Sequence, residues 1–329
     1  MKGWNNFEGD DAEWDKIIVS TGQNILYNQQ FWINLKRNEN WNIDRLCYLN
    51  NKSEIKLILV IFKKKYSFFN YLWSSGGLSN SNIDYLDVAL SDLKLYLNNN
   101  YVNYYFRMNS IDLFSAEKNY YFSKHLYIPK HLISSGFTVI NNLSLSIENI
   151  LNNLNSKKRY TIKSAIKQNI IWKIGLSDSI VSSTKFVFEK FKNESIRKFK
   201  LPSNEEIEYL STYKNHFLFI VGEYNDVPIT VSIINVTNQY PLYLYAATTE
   251  DGRKIGASYA MICQLHTFLN SMGYEKFDLL GISPFEKDIA GIDKFKLSFS
   301  GEITKYNGEW EYGSKLFRIL GNLIIKIRK

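Results

Sequence analysis

Apolar residues in the first half of the chain follow strand spacing in some segments and helix spacing in others. Segments 56–65 and 68–78 are nearly continuous apolar runs, which predict two strands, the second ending in a glycine turn. The leucines of segment 83–97 recur at the spacing of an amphipathic helix, and segment 101–109 returns as a strand. A short helical stretch at 31–37 precedes these elements.

The second half has a longer version of the same order. The pattern predicts a helix, a strand, two helices, three antiparallel strands, a helix and a strand, at 157–167, 170–175, 179–199, 203–214, 216–224, 228–237, 241–248, 258–274 and 276–282. Ser203 is the predicted N-cap of the fourth of these elements, with Glu205 and Glu206 in its first turn. The glycine-flanked segment 291–302 (GIDKFKLSFSGE) is predicted to be a further strand.

This order resembles that of an acyl-transferring GNAT domain, and the first half resembles an abbreviated copy of it. At 329 residues the chain suits two domains of average size. We therefore expect an α/β (α+β) protein made of two GNAT-like domains, at 1–150 and 151–329, each a mixed, mostly antiparallel sheet flanked by helices.

Five segments together resemble motifs of the FemABX family of peptidoglycan aminoacyltransferases. They are QQFWINLKRN (29–38), KKRYTIKSAIKQNI (157–170), YLYAATTEDGRKIGASYAMICQL (243–265), the segment 274–302 with GIDKFKLSFSGE, and YNGEWEY (306–312). The long helical arm of some members is absent, which indicates the compact branch that acts on a soluble nucleotide-linked precursor. Asn109 stands where the family has an acidic residue near the end of its first domain.

The resemblance implies transfer of an aminoacyl group from an aminoacyl-tRNA ester to an amine of a cell-envelope precursor, which is a nucleotide- or lipid-linked peptide or glycan. Because the ester is already activated, the reaction needs a positioned amine and a stabilised oxyanion rather than a nucleophilic side chain or a bound cofactor. By resemblance Lys296 is the cation for the oxyanion, and the backbone carbonyl of Phe295 helps to receive the amine. The alternative is that Lys296 is a solvated strand residue.

The resemblance also implies which residues bind the acceptor, whose diphosphate needs cations and hydroxyl groups. Lys36 follows Trp32 by four residues on one helix face, and Arg197 stands where the family has a phosphate-binding arginine. Strand alternation predicts that Tyr243 and Tyr245 share one face of the sheet. The alternative for each tyrosine is ordinary half-buried packing. A weaker acceptor candidate is Tyr104.

Two features are candidates for binding the donor. Segment 157–167 has five basic residues and no acid, so Lys163 and Lys167 are predicted to contact the tRNA backbone, unless the run is only a solvated face. Arg253 and Gly256 belong to RKIGAS (253–258), which nearly fits the [QR]-x-x-G-x-[GA] turn that binds the pyrophosphate of CoA.

Two other functions compete with aminoacyl transfer from tRNA. The CoA-like turn supports an acyl-CoA-dependent N-acyltransferase that modifies an amino sugar for surface polysaccharide. The basic segment supports a non-catalytic nucleic-acid binder, although it lacks the aromatic stacking platforms that such binders use. Binding of tRNA compared with binding of CoA distinguishes the three functions.

Charge and composition narrow the remaining possibilities. The net charge of +8 favours anionic partners, and Cys47 and Cys263 lie too far apart in sequence for a metal-binding pair. The four histidines have no metal-ligand spacing, so no metal is expected. With no secretory or membrane-spanning segment in the sequence, a cytoplasmic protein is expected.

The basic C-terminal segment 314–329 predicts an amphipathic helix that contacts the inner membrane face. Its apolar stripe is predicted to consist of Leu316, Leu320, Leu323, Ile324 and Ile327. The alternative is a closing helix whose stripe packs on the second domain.

Overall fold

The structure is a computed structural model that describes residues 2–21, 26–78, 83–195, 201–237, 240–285 and 291–328. Its residues form two compact units, and unit 1 consists of Met1–Gly136 with Thr304–Lys329, whereas unit 2 consists of Phe137–Ile303. The first stretch of unit 1 contains, in order, β1 (Gly3–Asn6), α1 (Asp11–Thr21), α2 (Gln30–Asn38), β2 (Asn42–Leu49), β3 (Ile55–Tyr66), β4 (Phe69–Ser74), α3 (Leu86–Asn100), β5 (Tyr104–Leu113) and α4 (Ala116–His125).

Unit 2 follows along the chain, before the chain returns to unit 1. Its elements are β6 (Phe137–Asn142), α5 (Ile147–Asn152), α6 (Ser156–Ile166), β7 (Ile171–Gly175), α7 (Asp178–Glu194), α8 (Asn204–Ser211), β8 (Phe217–Tyr224), β9 (Val227–Asn235), β10 (Leu242–Thr248), α9 (Glu250–Lys254), α10 (Ala257–Ser271), β11 (Lys276–Asp278) and α11 (Gly291–Lys296). The chain ends with β12 (Glu302–Gly313) and α12 (Lys315–Arg328).

The sheet of unit 1 has the order β1-β2-β3-β4-β5-β12. Every neighbouring pair is antiparallel except β4 and β5, which are parallel. A parallel pair requires a crossover, and α3 provides it. Its residues Leu90, Leu93 and Leu97 are fully buried in the core of the unit, as the helical spacing of the leucines predicted.

Unit 2 repeats this arrangement with the order β6-β11-β10-β9-β8-β7. Here β10 and β11 are the parallel pair, and α10 is the crossover between them. Strand β11 is shorter than the predicted 276–282, because Leu280 adopts a left-handed backbone (φ 59°) just after it. Ser203 caps α8 as predicted, since its hydroxyl accepts from the Glu206 amide.

The predicted fold class is confirmed, because each unit is a mixed, mostly antiparallel sheet flanked by helices. The two units divide the chain differently from the predicted domains 1–150 and 151–329. Residue 150 lies within α5 of unit 2, and strand β6 before it pairs with β11 of the same unit. At the other end β12 pairs with β5, so the last residues belong to unit 1.

Segment 291–302 is largely helical, so the prediction of a strand there was wrong. Residues Gly291–Lys296 form α11, and a 3₁₀ turn follows at Leu297–Phe299. Phe295 and Phe299 are four residues apart and pack ring to ring, with centroids 5.5 Å apart. This spacing is helical, and the flanking glycines concealed it.

Helix α12 packs on unit 1, so the alternative prediction, in which its apolar stripe packs on the second domain, was wrong. Ile325 is buried with Phe69, Tyr71 and Tyr105, and Phe317 and Ile324 pack against the same cluster. Three residues of the predicted stripe, Leu316, Leu323 and Ile327, are exposed, at 60%, 49% and 76%. The other two, Leu320 and Ile324, are partly buried.

Within the described ranges, no helix has both the length and the apolar character needed to cross a bilayer.

Candidate active site and substrate-binding residues

The lysine predicted to be catalytic is buried in unit 2 and held by two backbone carbonyls. Lys296 ends α11 and is only 7% exposed. Its Nζ donates to the Leu280 oxygen at 3.2 Å and to the Gly281 oxygen at 2.9 Å. An ammonium group has three donors, so these two bonds aim the amine and leave one N–H for another acceptor. The alternative of a solvated strand residue is wrong on both counts.

Burial lowers the pKa of Lys296 to about 8, although the carboxylates of Asp293 and Asp278 act in the opposite direction. Both acids are themselves buried and engaged with backbone amides. Asp293 accepts from the Ser283 amide at 2.9 Å, and Asp278 accepts from the Leu280 amide at 2.7 Å and from the Thr138 hydroxyl. The site therefore holds a cation that is charged at neutral pH yet poorly solvated.

Phe295 lies beside Lys296 and has a half-buried ring. The ring packs edge-on against Tyr259 of α10, with centroids 5.2 Å apart, and against Phe299. These contacts fix the position of α11 against α10. The predicted role of the Phe295 carbonyl in receiving the amine stays a prediction.

The predicted donor residues of unit 2 lie on adjoining elements. Gly256 precedes α10 in a left-handed conformation (φ 73°), and a Cβ there would stand 3.0 Å from the Cβ of Ala165 on α6. The basic helix α6 therefore packs on the turn that contains Gly256. The guanidinium of Arg253 donates to the Thr248 carbonyl at 2.7 Å and lies 3.6 Å from the carboxylate of Glu194.

The turn that resembles a CoA cradle is stabilised by its own hydrogen bonds. Residues Glu250–Lys254 form helix α9, in which the Arg253 amide donates to Thr249 at 2.9 Å. The Gly256 amide donates to the Arg253 carbonyl at 3.1 Å. A pyrophosphate cradle uses the first free amides of the following helix, which here begins at Ala257, so these two bonds leave that position open.

Among the five basic residues of segment 157–167, Arg159 is structural, whereas Lys163 and Lys167 face solvent. Arg159 donates to the carbonyls of Leu151, Asn152 and Leu154, which end α5, so it caps that helix. Lys163 and Lys167 are exposed, and in the described part of the chain neither forms an ion pair. The cationic face of α6 is therefore carried by its lysines.

In unit 1 the predicted acceptor residue Lys36 is 4% exposed on α2. Its Nζ lies 4.7 Å from the centroid of the Trp32 ring, which confirms that the two residues share a helix face. The same Nζ pairs with Glu39 at 2.7 Å. Arg197, the other predicted phosphate-binding residue, lies outside the described residues.

Tyr243 and Tyr245 do not share a face, because a β-bulge in β10 separates them. Tyr243 lies opposite Ile234 of β9, whereas Tyr245 lies opposite the next residue, Ile233. A bulge adds one residue and so reverses the alternation. Tyr243 is buried in the core against Phe277, and the Tyr245 hydroxyl donates to Glu206 at 2.8 Å on α8.

Tyr104, the weaker acceptor candidate, is 7% exposed in unit 1. Its hydroxyl donates to the Asn98 side chain at 2.6 Å, and burial raises its pKa. It lines a cavity of about 360 Å³ together with Tyr127, Tyr312 and Phe317. The cavity gives a ligand access to the side of the Tyr104 ring.

The structure also contains a polar cluster that the sequence did not suggest, at the ends of the parallel strands β4 and β5. The buried side chains of Asn28, Trp32, Ser74, Ser75 and Ser110 have polar atoms with no hydrogen-bond partner in the part of the chain that the structure describes. Buried polar atoms in proteins nearly always have a partner. The segment SSGG was visible in sequence only as a turn, and Asn28 carried no signal at all.

No three histidine, cysteine, aspartate or glutamate side chains within the described ranges form a group that could hold a metal ion. Cys47 and Cys263 are both buried and free, and burial raises the pKa of each thiol to about 12. A thiol of that pKa is a poor nucleophile at neutral pH.

Comparison with known proteins finds one family model and several solved structures that are similar to this chain. Residues 188–318 match the model of the FemAB family. No curated protein sequence matches the chain significantly. The structure is similar to a crystal structure of FemX, with a TM-score of 0.77 and 13% identity over 98% of this chain and 100% of that one.

Two further structures share the fold. L-PGS from Bacillus licheniformis has a TM-score of 0.56 and 12% identity, covering 85% of this chain and 89% of its own. A tandem GNAT protein from the clavulanic acid biosynthesis pathway has a TM-score of 0.51 and 7% identity, covering 95% and 99%. These matches confirm the tandem GNAT-like fold. Residues 188–318 are therefore similar to the FemAB family, and the fold of the whole chain is similar to that of FemX.

Proposed function

We propose that the protein transfers an aminoacyl group from an aminoacyl-tRNA to an amine of a nucleotide-linked cell-envelope precursor. Unit 2 binds the donor and performs the chemistry, and unit 1 binds the acceptor. The match to the FemAB family, which lies mainly in unit 2, and the similarity to FemX support aminoacyl transfer. The observation that carries the proposal is the geometry of Lys296.

The reaction requires a cation at the place where negative charge develops. The acceptor amine attacks the carbonyl carbon of the aminoacyl ester, which forms a C–N bond and leaves an oxyanion. Collapse of this intermediate breaks the C–O bond to the tRNA ribose, whose oxygen takes the proton that the attacking nitrogen loses. A preorganised ammonium such as that of Lys296, fixed by the Leu280 and Gly281 carbonyls, stabilises the oxyanion without having to reorganise.

The exposed lysines beside the turn at 253–256 support tRNA rather than acyl-CoA as the donor. Lys163 on the adjoining helix and Lys167 at its C-cap are exposed and suit a polyanionic backbone. The CoA-dependent N-acyltransferase stays the second candidate, because Arg253 and Gly256 keep the positions of the CoA-binding turn.

A direct product assay tests the proposal. The purified protein is incubated with charged tRNAs, acyl-CoAs and nucleotide-linked acceptors in separate combinations, and products are identified by mass spectrometry. A mass increase of one aminoacyl residue that requires charged tRNA supports the proposal. A product that forms with acyl-CoA alone establishes the second candidate instead.

The pH dependence of turnover is expected to report the titration of Lys296. Its pKa of about 8 means that the ammonium is lost as the pH rises through 8, so the rate should fall on that side. On the acid side the rate should rise with pH, since the attacking amine must be deprotonated. Rate measurements between pH 6 and 10 should therefore give a bell-shaped profile whose maximum lies midway between the pKa of Lys296 and that of the acceptor amine.

Lys296→Arg provides the control for this assignment. A guanidinium stays charged throughout this range, so the falling limb should move to higher pH even if the rate is lower. If the rate of the Lys296→Arg variant falls at the same pH as that of the wild type, the falling limb reports the titration of another group.

Lys36→Ala is expected to raise the Michaelis constant for the acceptor and to change kcat little. A phosphate contact contributes equally to the ground state and the transition state, so its loss weakens binding alone. Steady-state kinetics with acceptor and donor varied in turn measure the effect.

Two variants on the same helix separate a phosphate contact from the Lys36–Glu39 pair. Glu39→Gln removes the carboxylate that pairs with Lys36. The Michaelis constant for the acceptor should then stay unchanged or fall, because the lysine no longer has a competing anion. Arg37→Ala removes an exposed cation that donates to Asn34, and should have no effect. If Glu39→Gln raises the constant as much as Lys36→Ala, the lysine has a structural role.

We also propose that the enzyme works in the cytoplasm at the inner membrane face, which it contacts through helix α12.

A further inference from the structure

Helix α12 is anchored on unit 1 along one face only. Phe317 stacks on Phe69 with centroids 5.9 Å apart, and Ile325 is 6% exposed in the same cluster. Gly321 lies against the ring of Tyr105 so closely that a Cβ would stand 2.2 Å from it. Asn322 donates to the buried carboxylate of Glu311 at 2.6 Å. The position and rotation of the helix are therefore fixed.

The opposite face presents a row of large aliphatic side chains to solvent. Leu316, Ile319, Leu323 and Ile327 are 60%, 58%, 49% and 76% exposed. Their spacing of three and four residues places them on one face of the helix. Single exposed apolar residues are common on protein surfaces, but a contiguous row of four marks an interaction surface.

Basic residues border this row, and no acidic residue lies in α12. Lys315 and Lys326 are exposed and stand eleven residues apart, which returns them to the same side of the helix. Arg318 is turned away, since its guanidinium lies 3.7 Å from the Tyr127 ring and 3.7 Å from Glu311. The exposed row therefore has a cationic border on one side.

We propose that α12 is a membrane-docking surface that lies along an anionic lipid bilayer. Its aliphatic row enters the boundary between headgroups and acyl chains, and Lys315 and Lys326 contact the lipid phosphates. An amphipathic helix with one aliphatic face and a cationic border has the chemistry for this contact. The anchored face keeps the row oriented before contact, so binding does not have to fold the helix.

The charge pattern favours lipid over a second copy of the chain. In a symmetric pair of α12 helices, the lysines of the two copies would lie near each other, with no acidic residue on either helix to compensate. An anionic bilayer instead supplies opposite charge along the whole border.

Sedimentation of the full-length protein with vesicles tests the proposal. Phosphatidylcholine vesicles with and without phosphatidylglycerol are used at low salt. We expect binding to the anionic vesicles that weakens as salt is raised. The Ile319→Ser/Leu323→Ser variant should bind at least about tenfold more weakly, because the free energy of transferring two aliphatic side chains from water into the bilayer is lost. Lys315→Ser/Lys326→Ser should lose the preference for anionic vesicles.

Matched variants elsewhere in unit 1 control for general surface effects. Val88→Ser/Val102→Ser removes two exposed aliphatic residues outside α12, and Lys52→Ser/Lys130→Ser removes two exposed lysines. Both should bind like the wild type, and circular dichroism melts should show that every variant is folded.

Two results would overturn the proposal. One is a wild-type protein that stays in the supernatant with anionic vesicles at low salt, or an Ile319→Ser/Leu323→Ser variant that binds these vesicles as well as the wild type. The other is a concentration-dependent dimer in light scattering that Ile319→Ser/Leu323→Ser abolishes, with no vesicle binding, which would assign the row to a second copy.

Discussion

Lys296→Met is expected to lower turnover by about 10²–10³, the usual cost of removing one preorganised oxyanion donor. Methionine keeps the length and apolar stem of lysine but cannot donate to an oxyanion. Because the interaction is made only in the transition state, kcat should fall while the Michaelis constants of both substrates change little. Single-turnover measurements with charged tRNA isolate the chemical step.

The same helix supplies a control for this variant. Lys294 is exposed and stands two residues before Lys296, so Lys294→Met removes an equal charge from α11 without touching the buried amine. It should retain wild-type turnover. A folded Lys296→Met enzyme with unchanged kcat would refute the oxyanion role.

The free energy of unfolding of the wild type and of Lys296→Met offers a second measurement, which is independent of activity. The pKa of Lys296 is about 8 in the folded state, against an ordinary 10.5, so between these values the unfolded chain binds more protons. The free energy of unfolding of the wild type should therefore rise with pH across this window. The rise should be absent from Lys296→Met, in urea titrations at pH 7.5 and 10. Parallel curves would mean that the amine is not buried.

Local patterns predicted most of the fold, because each unit is built from segments whose spacing is unambiguous. The leucines of α3 and the apolar run of β3 occupy the predicted elements. The sequence could not show that β12 pairs with β5, since the two strands are nearly two hundred residues apart and neither contains a pairing signal. The domain division depends on this long-range pairing.

The sequence could predict which side chains belong to the candidate site, but not their burial, their partners or the direction in which they point. Lys296 was identified by resemblance, but its burial and its two carbonyl partners depend on where α11 packs. Tyr243 and Tyr245 were assigned to one face because simple alternation was assumed, and a bulge of one residue leaves no mark in the sequence. The cluster around Ser74 and Asn28 arises where two distant segments meet.

Charge reversal of Lys163 and Lys167 is expected to weaken tRNA binding and to make it less sensitive to salt. Each lysine that neutralises a phosphate releases condensed counterions, so the slope of log K against log salt should become shallower by about one per lysine. For two contacts this corresponds to roughly a tenfold change in affinity between 50 and 200 mM salt. Lys163 on α6 and Lys167 at its C-cap are both exposed, so the substitutions should not disturb the core. Filter binding over a salt series measures the slope.

A variant with the same net charge distinguishes a binding face from general electrostatic attraction. Lys192 and Lys214 are exposed lysines of unit 2 outside α6, and Lys192→Glu/Lys214→Glu changes the charge of the protein equally. If α6 contacts the tRNA, only Lys163→Glu/Lys167→Glu should alter the salt slope, because long-range attraction between exposed charges is largely screened at 0.15 M salt. Equal losses in both variants would show that tRNA responds to net charge alone, and α6 would then be a solvated basic face.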